Sequence, residues 1–417
     1  MVQFSRFASE GRFFISSWRT FKKFVSRKYK GFWKKVDRAI ANCYNSIKFS
    51  HRPIDPNKIV MLTSRGTYNC HPRAIAEEII KQGLPYEIVW VVRKENIKNN
   101  EYYPENLKLV YRGSYEFNEE AATARVWIDN SVTFSYLFAK KRPGQTLIQT
   151  WHGTFGLKKF DASVNNNKYW VKKAYQEGKQ TDYILTNCKF EEELFKNTFW
   201  ENAEALPYGH PRNDILFENK AEKAAKLVAD IRKRYQIEED TKILLYAPTY
   251  RDVPNVQNYE FDYDSVVEAL EERFGGKWVI MVRYHFLDRK LANLDESNPN
   301  IINVTQYPDI QDLMLIADIG MTDYSSWIYD YFFTRKPGFL YVPDIEEYES
   351  KDREFLFPIE ETPFPIAKTI HELCKQIQGF DEEKYQRDYQ TFSDKMACYE
   401  DGHATERIVN KLKEIMG

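Results

Sequence analysis

Apolar residues along the chain recur with two periods. KIVMLTS (58–64), EIVWVV (87–92), LKLVY (107–111), RVWID (125–129), TLIQTW (146–151) and DYILT (182–186) are short, nearly continuous apolar runs, the pattern of strands buried on both faces. Stretches with helical spacing separate them, among them HPRAIAEEIIKQG (71–83), which ends at Gly83. A second series begins near Ile243 with ILLYAP (243–248), WVIMVRY (278–284), IINVT (301–305), DIGMTD (318–323) and GFLYVP (338–343). Helices are predicted at 222–235, 264–273, 308–316, 326–333 and 364–378, and the stretch from 382 to 416 reads as helical throughout. Buried strands alternating with helices predict an α/β fold with parallel sheets. Two such series predict two halves facing a cleft, joined near Tyr208 to Ile215.

The first 52 residues follow a different rule. Phe14, Trp18, Phe21, Val25, Tyr29, Phe32, Val36 and Ile40 are spaced by three or four, marking one helix face, and Arg19, Lys23, Arg27, Lys30, Lys34 and Arg38 fall on the other. Lys22 lies close to the apolar stripe, where its stem can snorkel. This arm holds thirteen Lys or Arg against Glu10 and Asp37, which leaves 47 basic and 59 acidic residues for the rest. The net charge of −1 therefore conceals a basic arm on an acidic body. No apolar run approaches the roughly 18 residues of a spanning helix. A basic aromatic helix suits an anionic membrane surface; packing on the acidic body, or a transit peptide, is the alternative. Cys43, Cys70, Cys188, Cys374 and Cys398 form no CxxC pair, which argues against a disulfide framework or zinc site.

Chemistry concentrates at strand ends, where α/β proteins bind ligands. QTWHGT (149–154), RYH (283–285) and TDYSSW (322–327) each place polar side chains after an apolar run. His152 can act as a base near neutral pH, or be a turn histidine beside Gly153. Arg283 and His285 fall on one side of a strand and can grip a pyrophosphate; a surface basic pair is the alternative. Asp323, Ser325 and Ser326 stand between a strand and a helix, where the serines bind phosphate or merely cap the helix. GHPRND (209–214) places Arg212 at the join, or is a hinge turn with Asn213 or Asp214 capping the next helix. YAPTYRD (246–252) brings Thr249 and Arg251 to a further strand end, and DYD (262–264) reads as a helix cap. No metal-ligand spacing, P-loop or dinucleotide glycine fingerprint is present.

QTWHGT, GHPRNDIL, LYAPTYRD, RYH, MTDYSSWIYDYFFTRKPGFLYVPDIEEY and the closing DGHATERI together resemble the CDP-glycerol:poly(glycerophosphate) glycerophosphotransferase family, the teichoic-acid primases and polymerases with their ribitol-phosphate and capsule relatives. The motifs run from about residue 140 to the end; from 53 to 140 the resemblance is one of pattern. It implies a GT-B-like α/β fold of two Rossmann-like domains. The implied divisions are a membrane-surface arm (1–52), an acceptor domain (53–210), a CDP-alditol donor domain (211–390) and a C-terminal helix crossing back (391–417). The implied reaction moves glycerol phosphate or ribitol phosphate from CDP-glycerol or CDP-ribitol to a hydroxyl of a lipid-linked saccharide or poly(alditol phosphate) acceptor. CMP is released at the cytoplasmic face of the membrane, with no metal cofactor and no nucleic-acid partner. By the same resemblance His152 is the base and His285 lies at the donor pyrophosphate. Ser325 and Ser326 hold donor phosphate oxygens near Arg212, and Thr305 is a further donor contact; Thr249, Arg283 and Asp323 complete the expected binding set. Phe155-Gly156 after WHGT, His210 and the RYHF sequence depart from the family pattern. The rival readings are a GT-B glycosyltransferase with a nucleotide-sugar donor and a membrane-bound binding module without turnover.

Overall fold

In the computed structural model the described residues are 47–94, 102–137, 140–155, 159, 167–217, 220–249, 261–284, 294, 297–351 and 354–417, with 36, 40 and 44 from the arm. Most of the predicted arm, Arg251 and His285 lie outside them.

Seven strands form the first sheet: β1 (Asp55–Leu62), β2 (Glu87–Val92), β3 (Lys108–Tyr111), β4 (Ala124–Asp129), β5 (Thr146–Gln149), β6 (Tyr183–Leu185) and β7 (Glu204–Leu206). Six form the second: β8 (Lys242–Tyr246), β9 (Trp278–Val282), β10 (Ile301–Asn303), β11 (Ile319–Thr322), β12 (Gly338–Tyr341) and β13 (Ile366–Ala367). All pairings are parallel, in the orders β3-β2-β1-β4-β5-β6-β7 and β10-β9-β8-β11-β12-β13. Both are doubly wound, and the order reverses between β1 and β4 and again between β8 and β11, the crevices where such sheets bind ligands. The apolar runs are explained by burial on both faces: Val60, Met61, Trp127, Ile128, Leu244, Leu245 and Ile280 are all inaccessible to solvent or nearly so.

Three predicted elements differ. The strand over 146–151 stops at Gln149, because Trp151 takes φ +52° and turns the chain out of the sheet. The helix expected over 364–378 begins at Ile370; Ile366 and Ala367 instead pair with β12. The helix expected over 382–416 breaks in two. Glu382–Met396 packs Tyr385, Tyr389, Phe392 and Met396 into the second half and ends with Ala397 at φ +51°. The chain then recrosses at 397–403, and Ala404–Met416 packs Ile408, Val409, Leu412 and Met416 with Ile75 and Ile79 of the first half. Helical periodicity persists on both sides of the break, so the sequence pattern hides it.

Contacts at the linker and at the cleft edge help to fasten the halves. At the linker, a 3-10 helix Pro211–Leu216, Asp214 accepts from the backbone N–H groups of Ala404 (3.0 Å) and Thr405 (2.7 Å) and so caps the last helix rather than the next one. At the cleft edge, Arg73 on the helix Cys70–Lys81 bridges Asp309 (3.1 Å) and Asp312 (2.8 Å) of the second half. Asn69 donates to the Pro308 carbonyl beside it, at 3.1 Å.

Candidate active site

The first half offers His152, exposed three residues beyond β5. Its Nδ1 lies 2.6 Å from the Asn130 carbonyl oxygen. A carbonyl only accepts, so Nδ1 carries the proton and the neutral ring has its lone pair on Nε2. Asn130 in turn is held at the switch crevice, where its side-chain oxygen accepts from Ser64 N at 2.8 Å. The turn after Asn130 is organised by two buried carboxyls. Asp129 accepts from Ser131 N (3.0 Å) and Thr133 N (2.7 Å), and Glu177 accepts from Ser135 N (2.8 Å). Burial raises both, Asp129 to about 6 and Glu177 well above the carboxylate range, with the neighbouring Asp129 charge adding to the rise of Glu177.

The residues after His152 leave the first half. Thr154 donates to Asp330 of the second half at 2.5 Å. Phe155, also at positive φ, inserts its ring among Tyr329, Phe332, Phe333 and Phe392, with centroids 5.6 to 6.2 Å away. The departure at Phe155 is thus a plug in the second half's aromatic core.

The second half offers Ser325 and Ser326 at the start of the helix Trp327–Tyr331. Both are partly exposed, and Ser326, the N-cap, makes no side-chain capping hydrogen bond. Asp323 is turned inward: its carboxylate accepts from the backbone N–H groups of Thr249 (2.7 Å) and Tyr324 (2.5 Å). It ties the ends of β8 and β11 together and so shapes the serine turn. The Thr249 hydroxyl is buried without a hydrogen-bond partner among the described residues. Thr305 accepts from Tyr284 N at 3.2 Å, fixing the backbone beside His285. Arg283 donates to the Tyr307 carbonyl at 3.3 Å while its Nε has no partner among the described residues. Burial lowers this guanidinium, with Asp309 opposing and Arg65 adding to the shift.

Arg212 stands where the two halves meet. Its guanidinium pairs with Asp330 (2.7 Å) and donates to Thr154 Oγ1 (2.9 Å), the His152 carbonyl (2.8 Å) and Cys70 Sγ (3.3 Å). Those contacts make it a junction between the halves, while its Nε has no partner among the described residues. Beside it, buried His210 meets Glu191 at 3.1 Å and Glu400 at 3.9 Å. Burial alone would lower this imidazole, but the two carboxylates outweigh it and hold it above its ordinary value. Burial pushes Glu400 to about 7. Gly209 takes φ +85° where a Cβ would stand 3.0 Å from Glu400, so the linker needs glycine to pass.

Sequence reasoning missed Asn130, Asp330 and Glu400. Asp330 did leave a signal: it is the one charged residue in WIYDYFF, and a lone acid in an aromatic helix needs a partner. Asn130 acts through its backbone, which carries no residue-type signal.

The model of the CDP-Glycerol:Poly(glycerophosphate) glycerophosphotransferase family matches residues 44–414, and the chain belongs to that family. It is 29% identical over 405 residues to the teichoic acid poly(glycerol phosphate) polymerase of Bacillus subtilis (strain 168), covering 94% of this chain but only 53% of that protein. It is also 29% identical to the teichoic acid glycerol-phosphate transferase of Staphylococcus aureus (strain NCTC 8325 / PS 47), covering 88% of this chain and 96% of the relative. Among solved structures, a histidine-to-asparagine variant of the wall teichoic acid polymerase TagF soaked with CDPG superposes with a TM-score of 0.78 at 26% identity, over 94% of this chain and 98% of that one. The fold is GT-B-like, as that match and the paired doubly wound sheets show.

Proposed function

For this member of the glycerophosphotransferase family we propose transfer of an alditol phosphate from a CDP-alditol, CDP-glycerol or CDP-ribitol, to a hydroxyl of a lipid-linked saccharide or poly(alditol phosphate) acceptor. The observation that carries the reading is the His152 geometry: an exposed imidazole whose Nδ1–H is committed to the Asn130 carbonyl, leaving Nε2 to take a proton. In the proposed step the acceptor oxygen attacks the β-phosphorus of the donor as its proton passes to His152 Nε2. The bond from that phosphorus to the bridging oxygen of CMP breaks, and CMP leaves with the electron pair. The Asn130 carbonyl then stabilises the imidazolium through the same Nδ1–H. Ser325 and Ser326 donate to donor phosphate oxygens, with Arg283 and His285 supplying charge at the diphosphate. The partial exposure of both serines and a buried Arg283 Nε without a partner among the described residues support these roles.

The arm is proposed to hold the enzyme on the cytoplasmic face of the membrane. Ile40, Tyr44 and Ile47 continue its apolar stripe by steps of four and three, and are 43%, 48% and 64% exposed. Among the described residues no helix is long and apolar enough to cross a membrane.

CMP release by the purified protein, with CDP-glycerol or CDP-ribitol, a lipid-linked acceptor and EDTA, tests donor, acceptor and metal independence together. Acceptor-dependent CMP is the expected result. Turnover only with nucleotide sugars would replace this reading with a glycosyltransferase.

A further inference from the structure

We propose that Asp330 is a positioning residue that locks the base-bearing loop of the first half to the serine turn of the second. The inference rests on the roles proposed above for His152, Ser325 and Ser326.

Asp330 lies within the helix Trp327–Tyr331, every residue of which is buried, and is itself 1% exposed. A carboxylate there costs several kcal/mol unless its lone pairs are used, and all are. Oδ1 accepts from Thr154 Oγ1 (2.5 Å) and Asn213 Nδ2 (2.9 Å). Oδ2 meets Arg212 Nη2 (2.7 Å) and Gln311 Nε2 (3.2 Å). These four partners come from different places: the loop of His152, the linker, and the helix Ile310–Ile316 of the second half. The linkage continues in both directions. Towards the base, Arg212 donates from Nη1 to the carbonyl of His152 itself. Towards the donor, Asp330 lies on the short helix that Ser326 precedes as N-cap, and the Ser326 carbonyl accepts from Tyr329 N at 3.1 Å. One carboxylate therefore sets the distance between the two groups that the transfer requires on opposite sides of the phosphorus. A misplacement of about 1 Å in such an arrangement costs on the order of a hundredfold in rate.

The charge has a separate consequence. Asp330 balances Arg212, which touches the His152 backbone. The other titratable groups facing this junction are His71 and Cys70 from the Cys70–Lys81 helix, His210 from the linker, Glu191, and Glu400 from the recrossing segment. Asp330→Asn retains the shape and leaves the guanidinium uncompensated beside His152, which disfavours the imidazolium.

The test compares wild type with Asp330→Asn and Thr154→Val. Expected for Asp330→Asn is donor affinity within about threefold of wild type by calorimetry, with kcat lower by roughly 30-fold or more. Expected for Thr154→Val, which removes one hydrogen bond and no charge, is a smaller fall in kcat with the same donor affinity. Selective histidine labelling, practical with seven histidines, reads the His152 titration by NMR without any turnover. It should move down by about half a unit or more in Asp330→Asn and stay in place in Thr154→Val. Wild-type kcat in both variants would overturn the proposal, as would a loss of donor affinity in proportion to kcat, or an unmoved His152 titration. If Asp330→Asn does not fold, unchanged kcat in Thr154→Val overturns it alone. Absence of CMP release by the wild type would overturn the functional reading instead, leaving the His152 titration to decide the lock.

Discussion

His152 donates from Nδ1 to the backbone carbonyl of Asn130 across 2.6 Å, and this contact decides which ring nitrogen can accept a proton. The partner is a neutral carbonyl, so this contact fixes the ring's orientation and tautomer without adding a charge of its own. His152→Ala should lower turnover by about 10²- to 10⁴-fold, the range for removal of a general base. Binding of the CDP-alditol, measured by calorimetry, should survive. Turnover within tenfold of wild type would remove His152 from the role of base.

Ser325 and Ser326 stand partly exposed on a turn braced from beneath by Asp323. Each should contribute about 1.5–3 kcal/mol to a charged phosphate. Either alanine variant should raise the donor KM by roughly tenfold or more, with melting temperature unchanged. Asp323→Ala should behave differently and lower stability, because it unties β8 from β11. A normal donor KM in the double serine variant would refute phosphate binding at this turn.

The His210, Glu191 and Glu400 group predicts a pH dependence of stability. Burial raises Glu400 from its ordinary 4.5 to about 7, so the folded chain holds a proton that the unfolded chain releases between those values. The contribution is therefore lost as pH rises from about 4.5 to 7. His210, held above its ordinary 6.5, has the same sign: its contribution is full below 6.5 and disappears as pH passes its raised value. The melting temperature should fall between pH 5 and pH 8, and Glu400→Gln should flatten that fall. Equal slopes in the two proteins would show that other groups dominate.

Phe155 is fully buried, but in the core of the opposite half. Phe155→Ala should cost about 3–5 kcal/mol of stability and also reduce kcat, since it releases the loop that carries His152. Phe155→Leu, which refills most of the volume, should recover much of both. Denaturant midpoints and turnover of the two variants provide the check, and a stability loss with kcat intact would separate the plug from the active loop.

Strand runs, helix periods and the two-series organisation were legible in the sequence because burial on both faces of a parallel sheet writes itself into local apolar runs. The motif-bearing strand ends were legible for the same reason: once β5, β9 and β11 are recognised, His152, Arg283 and Ser325 fall at their carboxyl edges. The break at 397–403 was not, because the helices on either side share a period while packing on different cores.

What only the tertiary structure decided is which polar residues face a ligand and which face one another. Arg212 and Asp323 have the chemistry of phosphate contacts, yet their partners are Asp330, Thr154 and two backbone N–H groups. Asp330 lies 176 residues from Thr154 in the chain, and Asp214 caps a helix that begins 190 residues later. Local pattern records burial, because burial depends on the face an element presents. A hydrogen bond between distant segments depends on how two packed halves come together, and neither segment alone encodes that.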